Sequence, residues 1–325
     1  MLLQRSGDGW SVTTPAKVNL HLEVLGRRED GYHELDTILV AIDRTDRLLV
    51  RRLESTEIRF RVKVPETGRF PAHWNVPSDA SNLVVRALER LRAEWGVSDG
   101  LEVVLEKSIP AQAGLGGGSS DAAAALVAGM LALRGAVDWP LAHQLAASLG
   151  SDINFFLTGP VGRLWAARAI GRGEVLEPIA SGRELQFLVF QPEQTCSTRE
   201  VFALVTHSHG KVSSAACKEW LEGSGDSSRM PMCVNRLELA LAEKVPWVQG
   251  VRRVLKELSR ESTWLGHSMT GSGAAFFIVD WDRPKLKRLQ QRLGELLRVD
   301  SWLAASWAAP SVEQQLMDLK GNGQD

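Results

Sequence analysis

The sequence predicts an α+β protein of two domains, and three observations predict it. The 325 residues amount to about two domains at roughly 150 residues each. Alternating strand-like runs occur in both halves, and helical periodicity is interspersed with them in both. The hydrophobic share of 44% and charged share of 24% belong to a globular chain able to bury two cores without staples. The boundary falls near residue 180, giving segments 1–180 and 181–310 and a tail over 311–325 that is expected to fray.

The first 70 residues read as strands and turns. Lys17 to Val24 roughly alternates, Thr37 to Ile42 is rich in β-formers, and between them Gly26 to Gly31 makes a polar turn bounded by glycine. A helix follows, with Leu83, Val84, Ala87, Leu88, Leu91 and Trp95 at helical spacing, Ser81 or Asp79 as its cap and Gly96 as its stop. Leu101 to Glu106 alternates as a strand. It runs through a glycine-rich segment into an Ala/Leu-rich helix ending near Leu133, and a short helix spans Pro140 to Leu149 before Gly150. The second half opens with a strand from Leu185 to Phe190. Helices over 232–243 and 247–259, a strand from Ala274 to Val279, a helix opened by Asp282 and Pro284, and a closing strand from Trp302 to Trp307 complete it.

Composition excludes several classes of function. The 38 Lys+Arg against 39 Asp+Glu leave a formal charge of −1, which argues against a coat for nucleic acid or anionic membrane while allowing a local basic site. The apolar stretch over 122–133 is shorter than the roughly 20 residues that cross a bilayer. The opening residues carry no apolar core of a secretory signal, so a cytoplasmic protein is expected. Three cysteines, Cys196, Cys217 and Cys233, form no CxxC pair and read as reduced thiols, neither a disulfide framework nor a zinc site. The 11 tryptophans against 1 tyrosine are scattered and read as core and surface filling. His207-Ser208-His209 has the look of a metal pair but lacks a third ligand nearby, and reads as a polar loop.

The strongest local signal lies between a strand and a helix: Pro110-Ala111-Gln112-Ala113-Gly114-Leu115-Gly116-Gly117-Gly118-Ser119-Ser120. Glycine lets backbone turn sharply and approach a ligand closely. The helix that begins here offers unpaired N–H groups at its positive end, and Ser119 and Ser120 add hydroxyls at the capping position. Together these suit phosphate oxygens. No lysine follows the last glycine, as a GxxxxGK[ST] loop requires, and the register is not GxGxxG. The bland alternative is a flexible turn before an Ala-rich helix.

In chain order, Pro15-Ala16-Lys17-Val18-Asn19-Leu20, the glycine segment and Met269-Thr270-Gly271-Ser272-Gly273-Ala274 resemble the three motifs of the GHMP small-molecule kinases. Gly26-Arg27-Arg28-Glu29-Asp30-Gly31-Tyr32-His33-Glu34-Leu35 is similar to the G-R-x-D-G-Y-H-x-L signature of one branch of that family, whose substrate is methylerythritol linked to cytidine diphosphate. Further matches stand at 81–84, 150–153, 171–174 and 197–202, so the resemblance spans about residues 10 to 305. It implies the GHMP kinase fold, an S5-like α+β domain followed by a ferredoxin-like domain, with ATP and the substrate meeting in the cleft between them. It also implies transfer of a phosphoryl group from ATP to the 2-hydroxyl of that substrate, in the non-mevalonate route to isoprenoid precursors.

Phosphoryl transfer needs a cradle for the triphosphate, a proton acceptor, and cations for developing charge. The resemblance assigns the base to Asp152, between a helix stop at Gly150 and the apolar run Ile153-Asn154-Phe155-Phe156; a plain cap or ion pair is the alternative. It assigns Lys17 to charge stabilisation on the substrate oxygen or the transferred group, and places Asn19 on the same strand face. Tyr32 and His33 match the readers of the cytidine, with Thr198 and Phe202 at i and i+4 completing that pocket. Asn82 and Lys107 match nucleotide-contacting positions, and 270–273 would close the site from the second domain. Mg²⁺ is expected with ATP, held by phosphates and water, since no carboxylate cage is visible. Asn154 stands where relatives carry proline, and 165–170 is loosely typical. Another GHMP kinase acting on mevalonate or homoserine, or a nucleotide sensor on the same fold, are the competing readings; neither a nucleic acid nor a membrane partner is expected, and monomer and homodimer are both left open.

Overall fold

Polar and apolar residues alternate along the second strand, and that strand organises the molecule. The computed structural model describes residues 1–65, 70–160, 164–205, 210–224, 230–231 and 234–321, so His207, His209 and Cys233 lie outside the described residues. β1 (Leu2–Ser6) turns back into β2 (Gly9–Arg27), where Trp10, Val12, Ala16, Val18, Leu20, Leu22 and Val24 are all buried. Side chains leave a strand on alternate faces, which puts Lys17 and Asn19 together opposite Val18. Both are buried as well, because β2 is covered on both sides.

β3 (His33–Leu53) pairs antiparallel with β2 along nearly its whole length, with register shifts between Pro15 and Ala16, Asn19 and His21, and Val24 and Gly26. Then come β4 (Ile58–Lys63), α1 (Leu83–Trp95) and β5 (Gly100–Glu106). α2 (Gly117–Arg134), α3 (Trp139–Leu149), α4 (Ile153–Thr158), β6 (Ala166–Gly171) and β7 (Val175–Ile179) follow. The strands make one seven-stranded sheet in the order β1-β2-β3-β5-β4. β6 pairs with the N-terminal part of β3 and with β7.

α1 is capped by Asn82, not by Ser81 or Asp79. The Asn82 side chain accepts from Val84 N at 2.9 Å, while Asp79 is occupied by Ser81. Gly96 ends the helix in the left-handed region at φ 61°. α2 is buried nearly all round from Ala122 to Leu131, as its unbroken small-apolar sequence requires. The small side chains let α1 come close: a Cβ at Gly129 would press on Leu88 and Leu91.

The second sheet is built from β8 (Gln186–Pro192), followed by α5 (Thr198–Ala203), α6 (Ala215–Leu221), α7 (Arg236–Lys244), α8 (Pro246–Glu261), β9 (Gly266–Met269), β10 (Phe276–Asp280), α9 (Arg283–Leu296) and β11 (Val299–Ala305). Its order is β11-β8-β10-β9, all antiparallel. β10 starts two residues after the expected Ala274, because Ala275 N donates to Ala113 O in the glycine segment at 3.1 Å and is drawn off the sheet. The closing strand likewise stops short of Trp307, whose N–H donates to Ala41 O of β3. The tail does not fray from Ser311: α10 (Val312–Gly321) forms, and Gln315 bonds Leu3 N and Met1 O.

Three apolar cores result. One lies between the large sheet and α1 to α4, one between the two sheets, and one between the small sheet and α7 to α9. β2 contributes to all three: Trp10 and Val12 to the first, Ala16, Val18 and Leu20 to the second, Leu22 and Val24 to the third. Among the described residues no helix is long and apolar enough to cross a membrane.

Candidate active site

The glycine segment leaves β5, crosses the seam between the two sheets and enters α2, so both halves reach it. From the second half, Thr270 Oγ1 donates to Gly114 O at 3.1 Å and accepts from Asn19 N at 3.1 Å. Gly114 has φ 73°, and a Cβ there would run into Thr270 O; one at Gly271 would stand 3.0 Å from Gly114 O. Glycine is needed at both positions because two backbones pass in contact. Asn235 fixes the other strand of this contact by donating to Met269 O and Gly271 O.

A cleft of about 780 Å³ opens here. Residues 110–119 line it, with Lys17, Asn19, Thr37, Asn82, Lys107, Asp152, Arg172, Cys196, Thr198, Phe202 and Ser272 among the walls. Gly116 is the N-cap of α2 at φ 71°. Ser120 N makes the first intrahelical bond, to Gly116 O at 2.9 Å, so the N–H groups of Gly117, Gly118 and Ser119 belong to the unpaired first turn. These amides and the positive end of an eighteen-residue helix form the anion cradle.

The two serines do not share the role expected of them. Both stand inside the first turn, not at the cap. Ser119 lines the cleft, whereas Ser120 is wholly buried, its hydroxyl donating to Pro15 O at 2.6 Å and pairing with Thr14 Oγ1. Ser120 therefore ties α2 to β2 and faces away from any phosphate.

Lys17 enters from β2 beside Gly116, where a Cβ would press on the lysine stem at 2.9 Å. Its ammonium donates to Asn19 Oδ1 at 2.7 Å and stands 3.3 Å from Asp152 Oδ2. Asn19 is in turn held by Thr37, to which it donates at 2.8 Å. Asp152 precedes α4 but makes no cap hydrogen bond, and about a third of its side chain is open to the cleft. A buried cation, an oriented amide and a reachable carboxylate thus converge beside the anion cradle. Asn154, the second residue of α4, accepts from His143 Nδ1 of α3 at 3.0 Å through its Oδ1 and leaves the Asp152 carboxylate untouched.

Lys107 is among the cleft walls, and its ammonium is already engaged by the protein. Its ammonium lies beneath the glycine segment, bonded to Asp46 and, at 2.7 Å, to Asp121. Asn82 uses both ends of its amide in the backbone, capping α1 and donating to Pro77 O at 2.7 Å, so it shapes the wall it lines. At the far end of the cleft His33 stacks on Phe202, ring centres 4.9 Å apart, and Thr198 pairs with Ser272 at 2.9 Å. α5 carries Thr198 and Phe202 on one face. Tyr32 is 56% exposed at the rim, outside the cleft walls, with Arg172 above its ring at 5.0 Å.

Several residues in or beneath the cleft receive no role from the sequence. Asp46 carries no motif at all. Asp121 does leave a trace, as the one charge inside an Ala-rich run. Arg172 and Cys196 line the walls; burial and Glu200 push the Cys196 thiol up to about 11, so it is an unreactive wall. Among the described residues no cluster of three or more His, Cys, Asp or Glu side chains is arranged to hold a metal ion.

Residues 82–159 match the model of the GHMP kinases N terminal domain. The 4-diphosphocytidyl-2-C-methyl-D-erythritol kinase of Bacillus pumilus is 34% identical over 288 residues, 86% of this chain and 91% of that one. A crystal structure of a 4-(cytidine 5'-diphospho)-2C-methyl-D-erythritol kinase superimposes with a TM-score of 0.71 at 32% identity, covering 92% of this chain and all of that one. Homoserine kinase from Cytophaga hutchinsonii shares the fold, with a TM-score of 0.65 at 18% identity over 95% of this chain and 97% of that one.

Proposed function

We propose, from the premise that the chain belongs to the GHMP kinases and within them to the 4-diphosphocytidyl-2-C-methyl-D-erythritol kinases, that Asp152 and Lys17 carry out its reaction in the cleft between the two sheets. The chain is an ATP-dependent small-molecule kinase that phosphorylates 4-diphosphocytidyl-2-C-methyl-D-erythritol. The acceptor is the 2-hydroxyl, and the reaction serves the non-mevalonate route to isoprenoid precursors in the cytoplasm. The Lys17–Asp152 pair at 3.3 Å beside the first turn of α2 is the observation that carries this assignment.

The Gly117, Gly118 and Ser119 amides hold the phosphates of ATP. Asp152 Oδ takes the hydroxyl proton as the oxygen attacks the γ-phosphorus, and the bond to the leaving ADP oxygen breaks. Lys17 Nζ, kept in place by Asn19, faces the charge that builds on the transferred group. The donor set of the cleft suits Mg²⁺ held by phosphates and water, because Asp121 is buried with its Oδ2 engaged by Lys107 and Asp152, a third exposed, is the carboxylate paired with Lys17. When bound, the ion would spread phosphate charge. His33 and Phe202 read the cytosine, Thr198 helps hold that wall, and Tyr32 covers it from the rim. The two halves divide near residue 180, between β7 and β8.

An ADP-release assay with the cytidine-linked substrate, mevalonate and homoserine tests the assignment. Turnover is expected with the first alone; comparable turnover with either of the others overturns it.

A further inference from the structure

Beneath the phosphate cradle sits a buried group of three charges that the reaction does not use. Lys107 follows β5, Asp46 belongs to β3 and Asp121 to α2, and each side chain is no more than 3% exposed. A Cβ at Gly117 would lie 3.2 Å from Lys107 Nζ, so the ammonium fills the space beside the residue that opens the cradle. The two carboxylates are not equivalent. Asp46 Oδ1 accepts from Ser108 N at 2.5 Å and Ile109 N at 2.8 Å, and Oδ2 accepts from Lys107. Asp121 Oδ2 accepts from Lys107, but its buried Oδ1 has no partner.

One ammonium cannot balance two carboxylates in a dry site, and an anion left without donors costs several kcal/mol. Asp46 has three donors, the surroundings of an anion. Asp121 has one, and the Asp46 carboxylate stands within hydrogen-bonding reach to accept a proton held on it, the surroundings of a neutral acid. We propose that Asp121 keeps a proton, so that Lys107 and Asp46 balance each other and the floor of the phosphate cradle is electrically neutral when nucleotide binds. Asp121 and Lys107 are then positioning residues for ATP, acting through the backbone of Gly117.

The electrostatics agree. Burial, then the adjacent Asp46, drive the Asp121 carboxyl well above its ordinary range against the pull of Lys107. Burial alone would lower Lys107, but Asp121 and Asp46 outweigh it and hold the ammonium charged. Other charges nearby are Lys17 from β2, Asp152 ahead of α4, and Arg44 from β3, whose guanidinium donates to Ser108 O at 2.6 Å. α1 turns Leu83, Leu88 and Leu91 toward α2, and α4 adds Phe155 and Phe156 to the same core. Asp121 is thus governed by its two partners in the cluster. As pH rises and its proton leaves, a negative charge appears beneath the bound phosphates, and affinity for nucleotide falls.

This rests on the assignment of the cradle to ATP phosphates, and calorimetric titration with ADP separates the two. Asp121→Asn replaces the acid by a neutral group that still accepts from Lys107 and donates toward Asp46. In the wild type, ADP affinity is expected to fall about tenfold across the loss of the proton, beyond the ligand's own titration; in Asp121→Asn that extra fall is absent while ADP still binds. Parallel wild-type and Asp121→Asn profiles overturn the proposal. Should Asp121→Asn fail to fold, or ADP fail to bind at all, the infrared spectrum of the wild type decides. Among the described carboxyls Asp121 alone is pushed well above its range, so a protonated-carboxyl band at neutral pH supports the proposal and its absence sinks it. Failure of ADP to bind would by itself count against the cradle.

Discussion

Two lysines flank the glycine segment at equal depth, and they differ in everything else. Lys17 meets an amide and a carboxylate that is a third exposed, and its charge faces the cleft. Lys107 meets two carboxylates sealed from solvent, and its charge is spent below the loop. The difference lies in the neighbours. On the Lys17 side a strand face and the start of a short helix leave an opening. On the Lys107 side α2 lies directly over the cation. One cation is placed to act on substrate and the other to hold the backbone that binds it, so burial alone does not mark a lysine as catalytic.

Breaking the open side should cost turnover and leave the fold intact. Asp152→Asn is expected to lower kcat about 10²–10⁴-fold, the usual scale for a proton-transfer group, with ADP affinity retained by calorimetry; near-normal turnover would remove Asp152 from the role of base. Breaking the sealed side should do the opposite. Lys107→Met strands the Asp46 anion and should destabilise the chain by about 3–5 kcal/mol, read from the urea midpoint, whereas a loss confined to kcat would place Lys107 with Lys17. The smallest effect sharpens how far the open side reaches. His33→Ala removes one ring of the stack with Phe202 and should raise KM for the cytidine-linked substrate about tenfold with KM for ATP unchanged. Equal changes in both constants would take His33 out of that pocket.

Local chemistry made part of this site legible in the sequence. The helix of Leu83 to Trp95 and the glycine-to-helix junction announce themselves through periodicity and stop signals, and Lys17 and Asn19 share a face because a strand has period two. Asn82 defeated the choice of cap, since Asp79, Ser81 and Asn82 all suit it and only the backbone direction decides. Ser120 was misplaced for a related reason: its hydroxyl could serve phosphate or Thr14, and nothing local says which side of the helix meets β2. Asp46 left no trace, because its value comes wholly from residues sixty or more positions away. Asp121 could have been noticed as a charge where an apolar run tolerates none. The resemblance supplied Tyr32 as a cytidine contact, and the partner of its ring at the rim, Arg172, is one that spacing along a turn cannot reveal.

The passage of β2 through all three cores has a consequence for cutting the chain. A piece ending near residue 180 would carry Leu22 and Val24 with no small sheet to cover them, and the remaining piece would lack a wall of its own core. Neither fragment is expected to close by itself, and the intact chain is expected to melt in one calorimetric transition, because β2 belongs to the cores on both sides of the cleft.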